Sequence, residues 1–385
     1  MIDLILEYKF VILFYIFIAY IFYKNKDKVT VQGKVIFLLK TKLGLKLMDR
    51  LAEKHRELIK LIGYIGLGTC YVALFWISFE LIRSTLAIFT SPSTPGLTLA
   101  LPGANIPGVG ILPFWHWLLA IFIIATIHEF SHGVVARAHK LKVKSSGIVL
   151  FGPILGAFVE PEEKQLRSAP DVAQYSVFAA GPFSNIVLGL LTLLVFGLLS
   201  SFIVNNYVVM DGVSFGDVDD TLPSYMAGLR PDVIITGVDG VNVTNYNEFA
   251  QQLLYKKPHE SIILQTNVTA LKFTLSEHPS DASRPYIGIK NVGTSYHIKD
   301  SVNKTFYRVI TWVQEFLKWL WLLSLGIGLF NLLPIPLLDG GQIVQLSLQK
   351  VKGKKNGDWW FGWIGIFFIM VILAGLLLPY VVPLF

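Results

Sequence analysis

Apolar residues in this chain gather into long unbroken runs divided by short charged segments, rather than recurring every three or four positions as on a half-buried soluble helix. A helix needs about 20 mostly apolar residues to cross a hydrocarbon core roughly 30 Å thick. Six runs meet or approach that length: Leu4–Tyr23, Leu61–Ile82, about Pro113–Ala138, about Val172–Val204, a run that starts amphipathically near Thr305 and is wholly apolar from Trp319 to Leu338, and Trp359–Val381. The expected fold is an α-helical polytopic membrane protein of about six transmembrane helices, carrying one inserted soluble domain.

That insert, residues 205–303, has a different pattern. Tyr207–Val213 reads as a strand, Pro223–Gly228 as a short helix, and Val233–Val243 as a hairpin turning at Asp239-Gly240, a pair suited to a type I′ turn. A helix beginning near Asn245 and two further strands, Ser261–Thr266 and Leu271–Leu275, complete an α+β unit. The chain therefore divides into residues 1–57 (anchor helix and basic segment), 58–204 and 304–385 (membrane core), and the insert.

Charge orients these pieces, because loops retained in the cytoplasm collect Lys and Arg. Lys24–Lys60 carries eleven bases against four acids, whereas Arg83–Leu112 has one base. Lys140, Lys142 and Lys144, then Lys350, Lys352, Lys354 and Lys355, mark two more basic loops. All six runs then alternate consistently, with the basic loops in the cytoplasm and residues 205–303 outside. Lys24, Lys26 and Lys28 follow the first run with no small-residue cleavage pattern, so it reads as an anchor and not a removed signal. Cys70 is the only cysteine, which excludes an intrachain disulfide and a thiolate metal cluster. The bilayer is an expected partner, and a nucleic acid is not.

The chemistry lies inside the runs. His128-Glu129-Phe130-Ser131-His132 is an H-E-x-x-H motif near the end of the third run. Residues four apart share a helix face, so both imidazoles can reach one metal ion while the carboxylate between them holds an attacking water. Ionisable groups near the centre of a membrane helix each cost roughly 2.5–3.5 kcal/mol on insertion scales, so three together call for a compensating cation. A catalytic zinc takes a third protein ligand and keeps one position open. His139, Glu160, Glu162 and Glu163 are weaker candidates than Asp339, which ends the apolar run in Asn331-Leu-Leu-Pro334-Ile-Pro336-Leu-Leu-Asp339-Gly340-Gly341. Pro334 and Pro336 must break the helix there, and irregular backbone at membrane depth is tolerated only against protein or a wet cavity.

HEFSH on one membrane helix and NLLPIPLLDGG on a later one together resemble the two signature motifs of site-2 proteases. The likeness covers nearly the whole chain from about residue 24. It implies intramembrane proteolysis by one Zn²⁺ ion on His128, His132 and Asp339, with Glu129 as general base. Ala179–Asn185 is similar to that family's small-residue and Asn motif, and Ser146–Glu160 resembles its re-entrant hairpin. Asn185 and Asn331 are candidates to bind the unwound substrate or its oxyanion. Tyr225–Gly237, with its Ala227-Gly228-Leu229 run, looks like part of a PDZ domain, which implies a peptide groove or a shield against large ectodomains. The resemblance makes transmembrane proteins the expected substrates and a prokaryotic cell membrane the expected location. Two other classes stand beside it. A metal transporter could use the same buried ligands but has no use for a base fixed between them, and a non-catalytic scaffold would work through the PDZ-like domain alone.

Overall fold

The computed structural model describes residues 9–90 and 97–381. They form two compact units, one built from the described residues up to Phe196 and from Val313 onward, the other from Gly197–Trp312. Among the described residues five helices are long and apolar enough to cross a membrane: α3 (Arg56–Thr90), α4 (Phe114–Ala138), α5 (Asp171–Tyr207), α6 (Lys304–Phe330) and α8 (Lys354–Val381). A further helix, α1 (Lys9–Lys24), covers most of the first expected run; residues 4–8 of that run lie outside the described residues. This unit also holds two shorter amphipathic helices, α2 (Leu45–Lys54) and α7 (Asp339–Lys352).

Side chains that would be exposed in water cover much of α3, α5 and α8, as expected where lipid is the solvent: Phe75, Phe79, Leu194 and Leu198 each stand more than half exposed. Where helices meet, small residues let the backbones approach. Ser324 on α6 donates to the Asn185 carbonyl of α5 at 2.7 Å, and a Cβ at Gly328 would sit 3.0 Å from the Asn185 Cβ. These contacts clamp α6 to α5 beside the chemistry described below.

Two hairpins make a four-stranded antiparallel sheet in the order β1 (Val29–Gln32), β2 (Ile36–Thr41), β3 (Val143–Phe151), β4 (Ile154–Pro161). The β3–β4 hairpin occupies the stretch expected to re-enter the membrane, and β4, the edge strand, packs along α4. Sequence reasoning treats residues 24–60 as a basic segment and misses the β1–β2 hairpin. Its signal is there: Val29-Thr-Val and Val35-Ile-Phe flank Gly33-Lys34, and both of those residues take positive φ, 57° and 65°. High local charge masked a turn.

The second unit holds a five-stranded antiparallel path, β8 (Ala270–Thr274), β7 (Ser261–Thr266), β6 (Ile235–Val238), β5 (Val208–Ser214) and β9 (Gly293–Ile298), in that spatial order. Val213, Leu229, Ile235, Ile262 and Leu264 are fully buried at its centre. Asp239 and Gly240 turn the expected hairpin with φ of 50° and 83°, and Asn245 caps the helix Tyr246–Leu254 by accepting from the Glu248 N–H. The chain from Ser276 onward adds strands that the sequence reading lacks, because pairing with β5, rather than any local apolar pattern, makes β9 a strand. Its partner register brings the ends of the insert together: Ile298 faces Val208, and the Lys299 N–H donates to the Tyr207 carbonyl at 3.0 Å.

Candidate active site

His128 and His132 lie one turn apart on α4 with Nε2 atoms 3.1 Å apart. Asp339 comes from the other end of the sequence and reaches both, its Oδ2 3.0 Å from His128 Nε2 and its Oδ1 3.5 Å from His132 Nε2. One donor atom from each residue fits within 4.8 Å of the others, a grouping that could hold a metal ion. Ligands about 2.0–2.2 Å from a tetrahedral zinc stand about 3.3–3.6 Å apart, so the three donors already have nearly the separation such an ion needs.

Asp339 gets there through a broken helix. α6 stops at Phe330; Leu332 and Leu333 make tight i→i−3 bonds, and Pro334 and Pro336 prevent any continuation. The Gly340 N–H, at the start of α7, then donates back to the Asn331 carbonyl at 2.8 Å. A Cβ on Gly340 would overlap the Leu332 carbonyl, and one on Gly341 the Ile335 carbonyl, so only glycines permit α7 to start this close to the break. Leu332, Leu333 and Pro334 are buried, which supplies the protein surroundings that irregular backbone requires.

The outer nitrogens of the two imidazoles are also held. His132 Nδ1–H donates to the Val177 carbonyl of α5 at 2.6 Å, fixing the tautomer that leaves Nε2 free for a metal. The side-chain amide of Asn185 lies 3.0 Å from His128 Nδ1, and it is fully buried. With its nitrogen toward the ring, the Asn185 Oδ1 is buried and has no hydrogen-bond partner. Rotating the amide by 180° lets His128 Nδ1–H donate to Oδ1, and Nε2 is again unprotonated toward Asp339. The rotated amide satisfies that orphaned oxygen and presents His128 Nε2 in the unprotonated form that a metal ligand requires. Sequence reasoning gives Asn185 to the substrate; in the structure its amide faces an imidazole.

Gly181 is the residue that sequence reasoning leaves as part of a packing motif. A Cβ there would collide with Nε2 of both His128 and His132. The backbone of α5 therefore closes one side of the pair, and the space a methyl would fill is where the two donor atoms converge.

Glu129 points to the neighbouring strand. Its Oε2 accepts the Val159 N–H of β4 at 2.9 Å, which leaves its second oxygen available. Glu129, both histidines, Asp339 and Asn331 line one cavity of about 300 Å³, together with Ile124, Ile327 and Leu338. All six residues singled out in the sequence thus border this space, Asn185 among them. Leu337 also borders it, 97% exposed and in a left-handed conformation at φ 79°.

The family description peptidase family M50 matches residues 116–373, a stretch that includes every one of these side chains. The chain belongs to peptidase family M50. An uncharacterised protein of Methanocaldococcus jannaschii is 26% identical over 353 residues, covering 90% of this chain and 88% of that protein. Zinc metalloprotease RasP of Shouchella clausii is 24% identical over 263 residues, 56% of this chain and 60% of RasP. A putative zinc metalloprotease of Clostridium acetobutylicum is 20% identical over 327 residues, 66% of this chain and 93% of that protein. The site-2 protease resemblance read from the two motifs is borne out by this membership, and five apolar helices make this M50 peptidase an integral membrane protein.

Proposed function

We propose that the chain is an intramembrane zinc metalloprotease that cleaves transmembrane segments of other proteins. The observation that carries this is the meeting of His128 and His132, on a helix of membrane-crossing length, with Asp339 from the start of α7 within 4.8 Å, and with Glu129 on the same cavity. His128, His132 and Asp339 would hold one zinc ion. Bound zinc supplies Lewis-acid chemistry, lowering the pKa of a water toward about 7 and polarising a carbonyl.

Glu129 takes the proton as water attacks the scissile carbonyl and returns it to the leaving amine. The Val159 N–H holds that carboxylate in place through one oxygen. Val177 and Asn185 fix the two imidazoles, and Asn331, facing the cavity from the broken segment, donates to the displaced carbonyl oxygen or to unwound substrate backbone. Substrate must enter unwound, because a carbonyl within a helix is bonded to the amide four residues ahead. His128 is fourteen residues into α4, about 21 Å along its axis, so with the basic loops in the cytoplasm the cavity lies in the cytoplasmic third of the bilayer.

The same reading makes α1 a sixth span and the second unit an extracytoplasmic PDZ-like domain that binds peptide or excludes large ectodomains. The test is cleavage of a transmembrane substrate in reconstituted vesicles, with zinc measured in the same preparations. Glu129→Gln is expected to retain zinc and lose about 10²-fold or more in rate. Undiminished cleavage by that variant would refute the proposal.

A further inference from the structure

α4 has a second lined face. The active-site cavity borders His128 and His132; turned away from it, Ile127 and Val134 line another cavity of about 410 Å³ with Ile59 and Ile62 of α3 and Ala180 and Leu191 of α5. Its walls are almost wholly apolar, and Ser131 and Ser184 on its border spend their hydroxyls on the Ile127 and Gly181 carbonyls of their own helices. From Ala180 to Leu191 the groove runs about 16 Å along the helix axis, close to half of a core roughly 30 Å thick. That is the depth of one leaflet.

The groove has a charged end. Arg56 precedes Ile59 on α3 by three residues and Arg137 follows Val134 on α4 by three, so each arginine continues the helix face that lines the groove. They border a polar cavity of about 280 Å³ with Asp49, Glu53, Lys140 and Lys142. Arg137 forms an ion pair with Asp49, Nε lying 3.0 Å from Oδ1, and its Nη2 donates to the Val143 carbonyl at 3.3 Å. Arg56, Lys140 and Lys142 then face Glu53 alone, two charges in excess. The Nε atoms of both Arg56 and Arg137 are buried with no hydrogen-bond partner. An excess of positive charge and two guanidinium nitrogens without hydrogen-bond partners, placed at the end of a one-leaflet apolar groove, complement a molecule with an anionic head and a single chain's length of hydrocarbon.

We propose that this is a binding site for an anionic phospholipid, its phosphate among Arg56, Lys140 and Lys142 and one acyl chain in the groove between α3, α4 and α5. A transmembrane substrate helix fits less well, since it needs the depth of both leaflets. The groove also backs the helix that carries His128 and His132, so the lipid would pack against the outer side of that helix.

The test is native mass spectrometry of the full chain in detergent, offered phosphatidylglycerol and phosphatidylcholine of identical acyl chains. Preferential retention of phosphatidylglycerol is expected. Basic residues at a membrane surface contribute about 1 kcal/mol each, a factor of about five, so Arg56→Gln with Lys140→Gln should weaken that retention about 25-fold and leave phosphatidylcholine unchanged. Arg56→Lys should keep it, and Ile62→Trp, which fills the groove from a half-exposed position, should weaken both lipids. Equal retention of the two lipids, or an unaffected double variant, overturns the proposal. Displacement by glycerol 3-phosphate alone also overturns it, because the site would then bind a free phosphate and not a lipid.

Discussion

The Val159 N–H of the edge strand β4 donates to the Glu129 carboxylate at 2.9 Å. A backbone donor on a rigid hairpin would fix the carboxylate proposed as general base better than a long side chain could, because little conformational freedom remains to be lost. Val159→Pro deletes that one donor, and proline is tolerated on an edge strand whose N–H points away from the ladder. The expected result is a fall in kcat of about tenfold, with bound zinc unchanged. Steady-state kinetics paired with metal analysis checks it; a normal kcat would mean that the bond does nothing for the base.

Gly181 controls the space around the imidazoles. A methyl there would meet both Nε2 atoms, so Gly181→Ala should force the histidines apart and lower zinc affinity by about 10–100-fold, the range seen when the surroundings of ligands are disturbed. Competition with a chelator of known affinity measures this directly. Gly197→Ala, whose Cβ would meet nothing within 4 Å, is the matched control and should leave affinity unchanged.

Asn185 should act on the metal through His128. Asn185→Leu removes the Nδ1 partner and is expected to cost about 10–100-fold in zinc affinity, whereas Asn185→Asp keeps an acceptor and should retain most of it. A substrate-binding role alone would instead raise KM with zinc affinity intact, so measuring both quantities separates the two.

Acid should loosen the second unit through Asp239. Burial raises the pKa of this carboxyl, but the Lys256 ammonium at 2.7 Å and the Ile263 N–H outweigh it and hold the group below the ordinary aspartate value of 3.8. A depressed folded-state pKa stabilises the fold above the unfolded value, and that stabilisation disappears as pH falls through the folded one. Thermal melting of the full chain between pH 6 and pH 3 should therefore show a loss that is smaller in Lys256→Met. Parallel pH profiles in the two proteins would rule out this contribution.

Much of this was legible because membrane burial simplifies the sequence. His128, Glu129 and His132 announce themselves by spacing alone, and Asp339 by the cost of leaving a carboxylate at the end of an apolar run. Asp239-Gly240 and Asn245 were readable from turn and cap chemistry, which is local. What stayed hidden depends on partners distant in sequence. The β1–β2 hairpin needs β3 beside it, and β9 needs β5. Gly181 looks like any small residue in a membrane helix until the imidazoles of α4 are seen against it. The partner of Asn185 likewise required coordinates, since a buried amide serves a substrate and a ligand equally well in one dimension.

The register that sets Ile298 opposite Val208 makes the insert a cassette whose entry and exit share one doorway. Excising residues 208–298 and bridging Tyr207 to Lys299 with a glycine or two would ask the flanking chain to span no more than the gap a single ladder bond now closes. A domain with adjacent termini can be traded for another without respacing the helices it interrupts, so the insert is free to change while the helices that carry His128, His132 and Asp339 stay as they are.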